Sequence, residues 1–272
     1  MKKKKKILIT GSNGFIGSNL IKQLRNKYDV YGIGRKIKKE KKYFKLDIKD
    51  KKKVANFFYN NSFDLVIHCA WYTKYKDYRN SKKNYDYLDY SKNILDNFIK
   101  NGGDNFISIG TCEEYKKKKY KKNIFFEENN IKPINLYAKS KNKFHKYLKT
   151  KNINYKWIRV FYLFGEGESK ERLFPSIINN LKKNDKLILK NPYFKTDFIY
   201  VKILARMMEK LINRKISGEF NICSGSSLKL LDILNLIRKY FNKESQKIMI
   251  KKKKLDYEEI IGSIKKIKKY KC

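Results

Sequence analysis

The 272-residue sequence predicts an α/β fold built on a doubly wound parallel sheet, with a smaller C-terminal lobe. Three observations predict it. Short apolar runs alternate with stretches of helical spacing over the first ~160 residues. A glycine-rich turn, Gly11 to Gly17, separates the first apolar run from the first helical stretch. After Gly165 the alternation breaks.

The elements follow in order. Ile7–Thr10 is a buried strand, because its apolar run ends on the glycine turn. Phe15–Lys27 is a helix, with Ile16, Leu20, Ile21 and Leu24 on one face. Val30–Ile33 and Tyr43–Asp47 are the next strands, Val54–Tyr59 is a short helix, and Asp64–Cys69 is the fourth strand. Tyr85–Lys100 is a long helix stopped by Gly102 and Gly103. Asn105–Ile109 is the fifth strand, residues 112–136 are a polar loop, Tyr137–Lys149 is a helix, and Tyr155–Phe161 is the sixth strand. Beyond Gly165, Leu173–Leu181, Val201–Ile212 and Leu230–Phe241 read as helices, and Lys186–Leu189 and Glu219–Ile222 as short strands.

Composition narrows the class. At 41% hydrophobic residues the chain can bury a core. No apolar run reaches the ~20 residues of a membrane span. Lys2–Lys6 imitates the basic start of a leader, but only Ile7, Leu8 and Ile9 follow, so a cytoplasmic protein is expected. Cys69, Cys112, Cys223 and Cys272 lie far apart and read as reduced thiols. With only His68 and His145 besides, no metal is expected. The net charge of +41 points first to nucleic acid. Lysine, however, supplies 59 of the 67 basic residues and is spread along the whole chain. Arginine, the side chain that reads bases in bidentate fashion, supplies only 8. The excess therefore reads as a solvated surface, with no specific nucleic-acid partner and no membrane insertion. Its field would still draw in an anionic substrate.

The glycine turn carries the first chemistry. Gly11, Gly14 and Gly17, with Asn13, Phe15 and Ile16 between them, give G-x-x-G-x-x-G after a strand and opening a helix. That context cradles a dinucleotide pyrophosphate on free helix N–H groups. Residues 1–164 are then an NAD(P)-binding Rossmann domain, to which some later segments return, and 165–272 a smaller substrate-binding lobe. After the second strand, where NAD sites carry an acidic residue, the chain reads Gly34-Arg35-Lys36. Arg35 can pair with a 2′-phosphate, which favours NADP(H) over NAD(H); the alternative is a plain surface cation. Asp47 and Ile48 would face the adenine, or simply end a strand. Cys69, Ala70 and Trp71 end the fourth strand, where small residues suit a ribose or mere packing.

Tyr137 and Lys141 form Y-x-x-x-K, and positions i and i+4 share a helix face. The ammonium would lower the phenol pKa toward working pH and make Tyr137 a general acid/base. The pattern alone is weak among 21 tyrosines and 59 lysines, and gains weight from its place after the fifth strand. Thr111, at that strand's end, could donate to a substrate oxygen beside Tyr137, or cap a turn.

Together these segments resemble the extended short-chain dehydrogenase/reductase family, the NAD-dependent epimerase/dehydratase group acting on nucleotide sugars. TGSNGFIGSNL resembles its cofactor fingerprint, SIGTCEEY its Ser/Thr strand end, and PINLYAKSK its Tyr/Lys helix start. RVFYLFGEGE, RLFPSIINNL, KTDFIYVKILARMM and GEFNICSG are similar to its substrate-side segments. The resemblance implies Thr111, Tyr137 and Lys141 as catalytic residues, a nucleotide-sugar substrate and a homodimer through the long helices. There are departures. Thr196 stands where the family has a diphosphate-binding Arg before Asp197, so Lys195 or Arg172 would substitute. Cys112-Glu113 replaces the dehydratase Asp-Glu, which argues against 4,6-dehydration. The family's long-helix Asn has no clear counterpart, and the sequence given stops short of the family's usual C-terminal helix. The expected activity is reduction of a 4-keto(-6-deoxy) sugar nucleotide. A 4-epimerase with bound NAD is the alternative, and a catalytically silent dinucleotide-binding regulatory module the alternative of another class.

Overall fold

In the computed structural model, residues 4–36, 42–251 and 259–271 are described; Lys2, Lys3 and Cys272 lie outside them. The first half runs β1 (Lys6–Thr10), α1 (Phe15–Leu24), β2 (Asp29–Gly34), β3 (Tyr43–Lys45), α2 (Lys51–Asn60), β4 (Leu65–His68), α3 (Lys83–Lys100), β5 (Asn105–Thr111), a 3₁₀ turn (Cys112–Glu114), β6 (Lys122–Phe125), α4 (Leu136–Lys149) and β7 (Asn154–Val160). The second runs β8 (Tyr162–Phe164), α5 (Leu173–Lys182), β9 (Leu187–Lys190), β10 (Lys195–Thr196), β11 (Phe198–Tyr200), α6 (Val201–Ile212), β12 (Gly218–Ile222), β13 (Leu228–Lys229), α7 (Leu230–Tyr240), β14 (Ile248–Lys251), β15 (Glu259–Gly262) and α8 (Lys265–Lys268).

The predicted doubly wound sheet is present. Its order is β12-β7-β5-β4-β1-β2-β3, and its ladders are parallel. Helices cover both faces, which is why its strands read as unbroken apolar runs. Ile7 and Ile9 pack on one face with Leu20, Leu24, Leu204 and Met208 of α1 and α6. Leu8 points the other way, with Val54, Leu95 and Phe144 of α2, α3 and α4. The chain order reverses between β1 and β4, so their carboxyl ends border a crevice that suits a ligand.

Residues 112–136 are not a plain polar loop. They hold the 3₁₀ turn and β6, whose Asn123 and Phe125 point inward while Lys122 and Ile124 face out. An exposed isoleucine and an inward asparagine hide the alternation. The partner strand, β15, lies far downstream. The sixth predicted strand also ends one residue early. Phe161 turns the chain, and β8 pairs with β11 away from the main sheet. Later segments divide: β12 extends the main sheet beside β7, whereas β13-β10-β15-β6 and β14-β9 form small separate sheets. No helix among the described residues is long and apolar enough to cross a membrane.

Candidate active site

The glycine turn bends around the end of β4. Gly11 sits at φ +67°, and a Cβ there would lie 2.9 Å from the Ala70 backbone. Gly17 packs against the turn itself, since its Cβ would lie 2.4 Å from the Gly11 carbonyl oxygen. Ser12 ties the loop to β2 through its N–H and hydroxyl, both donated to the Ile33 carbonyl at 3.1 Å. Asn13 and Gly14 are exposed at the rim, and Phe15 and Ile16 are half-buried behind them. α1 opens with no side-chain cap and no acidic residue in its first turn. Its first N–H groups thus face outward with the positive end of the helix dipole. A cradle with no room for side chains and open donors fits a dinucleotide diphosphate.

A buried histidine sets the β4 edge beside it. The Ala70 N–H donates to Thr10 Oγ1 at 3.2 Å, and Thr10 Oγ1 lies 2.8 Å from His68 Nδ1. His68 Nε2 lies 2.8 Å from Ser91 Oγ, which donates to the Tyr87 carbonyl at 2.6 Å. One proton arrangement satisfies every member: Thr10 donates to Nδ1, and Nε2 donates to Ser91. Burial holds the imidazole neutral, with its pKa down at about 3. Nothing in the periodicity marked His68, and a lone apolar-strand histidine carries no distinguishing signal.

α4 begins where the sequence places it. Asn135 caps the helix, its side chain accepting the Ala138 N–H at 2.9 Å. Tyr137 and Lys141 then lie on one face against the end of β5. Lys141 Nζ donates to the Ile109 carbonyl at 2.6 Å and lies 3.9 Å from the centre of the Trp71 ring. Burial drives its pKa down to about 7, against the pull of Glu114. Two positions farther along β5, Thr111 is buried, and its oxygen accepts the Glu113 N–H at 3.2 Å. That is the turn-capping role, and it leaves the hydroxyl proton to donate elsewhere. The expected lowering of the Tyr137 pKa is corrected. Burial pushes the phenol well above its ordinary value, and Tyr78, Glu113 and Glu114 add to the rise. The Lys141 ammonium is held by the Ile109 carbonyl and the Trp71 ring, and the groups that act on the phenol come from other elements and raise its pKa.

The remaining candidates divide into three places. Arg35 is exposed just past β2, and half-buried Asp47 lies past β3; both charges reach the Tyr87 hydroxyl on α3. Cys69, Ala70 and Trp71 line the β4 end, where Trp71 Nε1 donates to Asn84 at 2.9 Å. Ile48 is buried in the core beneath. Arg172, at the start of α5, reaches across to the loop after β4. Its Nη2 donates to the Thr73 carbonyl at 2.9 Å, and its guanidinium lies 5.0 Å from the Tyr78 ring centre. Tyr78 in turn meets Tyr137 edge-on at 5.1 Å. Lys195 and Thr196 form β10 in the four-stranded sheet, Lys195 exposed and Thr196 buried. Next to them Asp197 is fully buried and accepts from Ser224 N and Oγ at 2.7 Å and from Gly225 N and Gly262 N at 3.1 Å. That carboxylate is an anchor which the sequence showed only as a neighbour of Thr196.

A family model described as NAD dependent epimerase/dehydratase family matches residues 7–223. The chain is 28% identical over 246 residues to a GDP-6-deoxy-D-talose 4-dehydrogenase of Aggregatibacter actinomycetemcomitans, covering 85% of this chain and 79% of that one. It is 27% identical over 251 residues to a dTDP-6-deoxy-L-talose 4-dehydrogenase (NAD(+)) of the same organism, covering 82% and 86%. A solved UDP-glucose 4-epimerase of Thermotoga maritima, with UDP-glucose, shares the fold at a TM-score of 0.85 and 18% identity, covering 97% of this chain and 91% of that one.

Proposed function

The chain belongs to the NAD dependent epimerase/dehydratase family, and from that premise we propose that it reduces a 4-keto(-6-deoxy) sugar nucleotide with NADP(H). One observation carries the reading. Thr111 ends β5, Lys141 of α4 reaches the same strand at Ile109, and Tyr137 lies in the first turn of α4, on the same edge of the sheet as the uncapped start of α1. When bound, the nicotinamide supplies hydride to the keto carbon. Tyr137, kept protonated by its surroundings, gives its proton to the sugar oxygen. Thr111 directs its remaining hydroxyl proton to the same oxygen. Lys141, held by Ile109 and Trp71, would bind the nicotinamide ribose.

A phenol held above its ordinary pKa is a weaker acid, but it stays protonated at neutral pH, the state from which a reduction starts; the oxidise-and-re-reduce cycle of a 4-epimerase starts from the base form. Arg35 supports NADP(H), although the family as a whole is described by NAD. Arg172, Lys195 and Thr196 are assigned to the substrate side, and a cytoplasmic homodimer through α3 and α4 completes the proposal. The test is NADPH consumption with dTDP-, CDP-, GDP- and UDP-linked 4-keto-6-deoxy sugars. Consumption with one of them is expected. Turnover of a sugar nucleotide with no reductant added would make it an epimerase. Inactivity with all four would overturn the reading, and a Tyr137→Phe protein with unchanged function would favour a silent binding module.

A further inference from the structure

Glu113 has no part in the chemistry above, yet three elements meet on it. Its Oε1 accepts from Arg79 Nη2 at 2.8 Å and from Arg79 Nε at 3.1 Å. Its Oε2 accepts from Asn135 Nδ2 at 2.5 Å. Asn135 is the residue that caps α4. The Arg79 carbonyl accepts the Tyr137 N–H at 2.9 Å, so the arginine also holds the first turn of that helix by its backbone. On its own side, the Glu113 N–H is the group that Thr111 Oγ1 accepts. A single carboxylate therefore ties together the turn that carries Thr111, the loop after β4 and the helix start that carries Tyr137. Its side chain is only 10% exposed, so the fork from Arg79 is shielded from water on that side.

We infer that Glu113 is a positioning residue: by clamping Arg79 and Asn135 it sets Tyr137 against Thr111, and it moves no proton itself. The inference rests on the proposal that Thr111 and Tyr137 meet the reacting sugar carbon. Two features set it apart from an acid/base role at this position. Both oxygens already accept bonds from fixed donors. Burial would push the carboxyl up, but the bonds from Arg79 and Asn135 outweigh it and hold it ionised, below the ordinary carboxylate range.

The clamp also has an electrostatic signature. The groups acting on the Tyr137 phenol are Tyr78 from the loop after β4 and Cys112, Glu113 and Glu114 from the turn; Arg79 and Arg172 lie over the Tyr78 ring, and Lys141 of the same helix is held by the Ile109 carbonyl and the Trp71 ring. The Glu113 charge is among those that raise the phenol. Removing it lowers the pKa of Tyr137, so the alkaline limb of the reduction profile moves to lower pH.

The experiment compares Glu113→Gln, Arg79→Gln, their double variant and Tyr137→Phe in NADPH-dependent reduction. Glu113→Gln keeps the shape and loses the charge. We expect kcat to fall about 10- to 100-fold, as for a small misplacement of reacting groups. The affinity for NADPH should stay within about twofold, the alkaline limb should move to lower pH, and the double variant should lose no more than the worse single. If Glu113→Gln leaves kcat and the alkaline limb unchanged while Tyr137→Phe abolishes turnover, the clamp is refuted and the site stands. If Tyr137→Phe is also without effect, the site itself falls. Loss of an acid-side ionisation together with all turnover in Glu113→Gln would make Glu113 a proton carrier and likewise overturn the inference. Should Glu113→Gln fail to fold, Arg79→Lys serves. It keeps the charge and loses the fork, and the same fall in kcat at constant NADPH affinity is expected.

Discussion

In the seven-stranded sheet Ile7 pairs with Val30 and Leu65, partners that follow within a few elements; in the four-stranded sheet Asn123 pairs with Ile260, near the other end of the chain. The first region is held by apolar side chains on both faces of parallel strands. The second rests on a small apolar cluster around Phe125 and Ile260 and is fastened by buried polar anchors. Asp197 accepts four bonds from three residues, and Asn221 of β12, in the main sheet, fastens β6 to it by donating to the Phe125 carbonyl at 3.0 Å while accepting from the Tyr115 hydroxyl at 2.7 Å. Local apolar pairing makes a rigid frame that keeps the reacting groups in place. Short strands joined across long sequence separations depend more on each buried polar residue than the main sheet depends on any one apolar contact.

The largest effect should come from the frame. Tyr137→Phe is expected to lower kcat on the order of 10²- to 10⁴-fold with NADPH affinity retained, measured by steady-state reduction and by fluorescence titration. A comparable loss of cofactor binding would show that Tyr137 is structural. Next is Asp197→Ala, which strands the donors of Ser224, Gly225 and Gly262 and should cost on the order of 3 kcal/mol. Hydrogen exchange should show amides in β10 and β15 losing protection while those in β1, β4 and β5 keep theirs. Uniform loss in both regions would show that the two sheets open as one unit.

His68 sharpens the comparison through pH. Its pKa falls from 6.5 when unfolded to about 3 when folded, so between those values the unfolded chain binds the extra proton. Stability should therefore fall as the pH drops below 6.5, by up to ~1.4 kcal/mol per unit. His68→Gln should flatten that slope in denaturant titrations, and an unchanged slope would assign acid sensitivity to other groups. The smallest effect is Arg35→Ser, which should raise KM for NADPH about tenfold with little change for NADH, consistent with one exposed charge-assisted contact. An equal change for both cofactors would remove Arg35 from the 2′ position.

The same contrast explains what could be read in advance. β1, the glycine turn and α1 are contiguous, and Tyr137 and Lys141 are one helical turn apart, so local spacing revealed them. β6 escaped because its inward positions are Asn123 and Phe125 and its partner lies near the other end of the chain. The Arg79, Glu113 and Asn135 cluster escaped because three distant segments supply it. The direction of the Tyr137 pKa is hidden in the sequence for the same reason: Lys141 is visible at four residues, whereas Tyr78 and Glu114 are neighbours only in space.

The contact of Lys141 with Trp71 has an optical consequence. The chain has two indoles, and the other, Trp157, is stacked on His145 at 4.7 Å and donates to Glu114 beneath the main sheet. A Trp157→Phe protein would emit from Trp71 alone, with an ammonium 3.9 Å from the ring centre. Its emission would then follow both the charge of Lys141 and the arrival of a ribose beside it, and the protein would report its own binding events without an added dye.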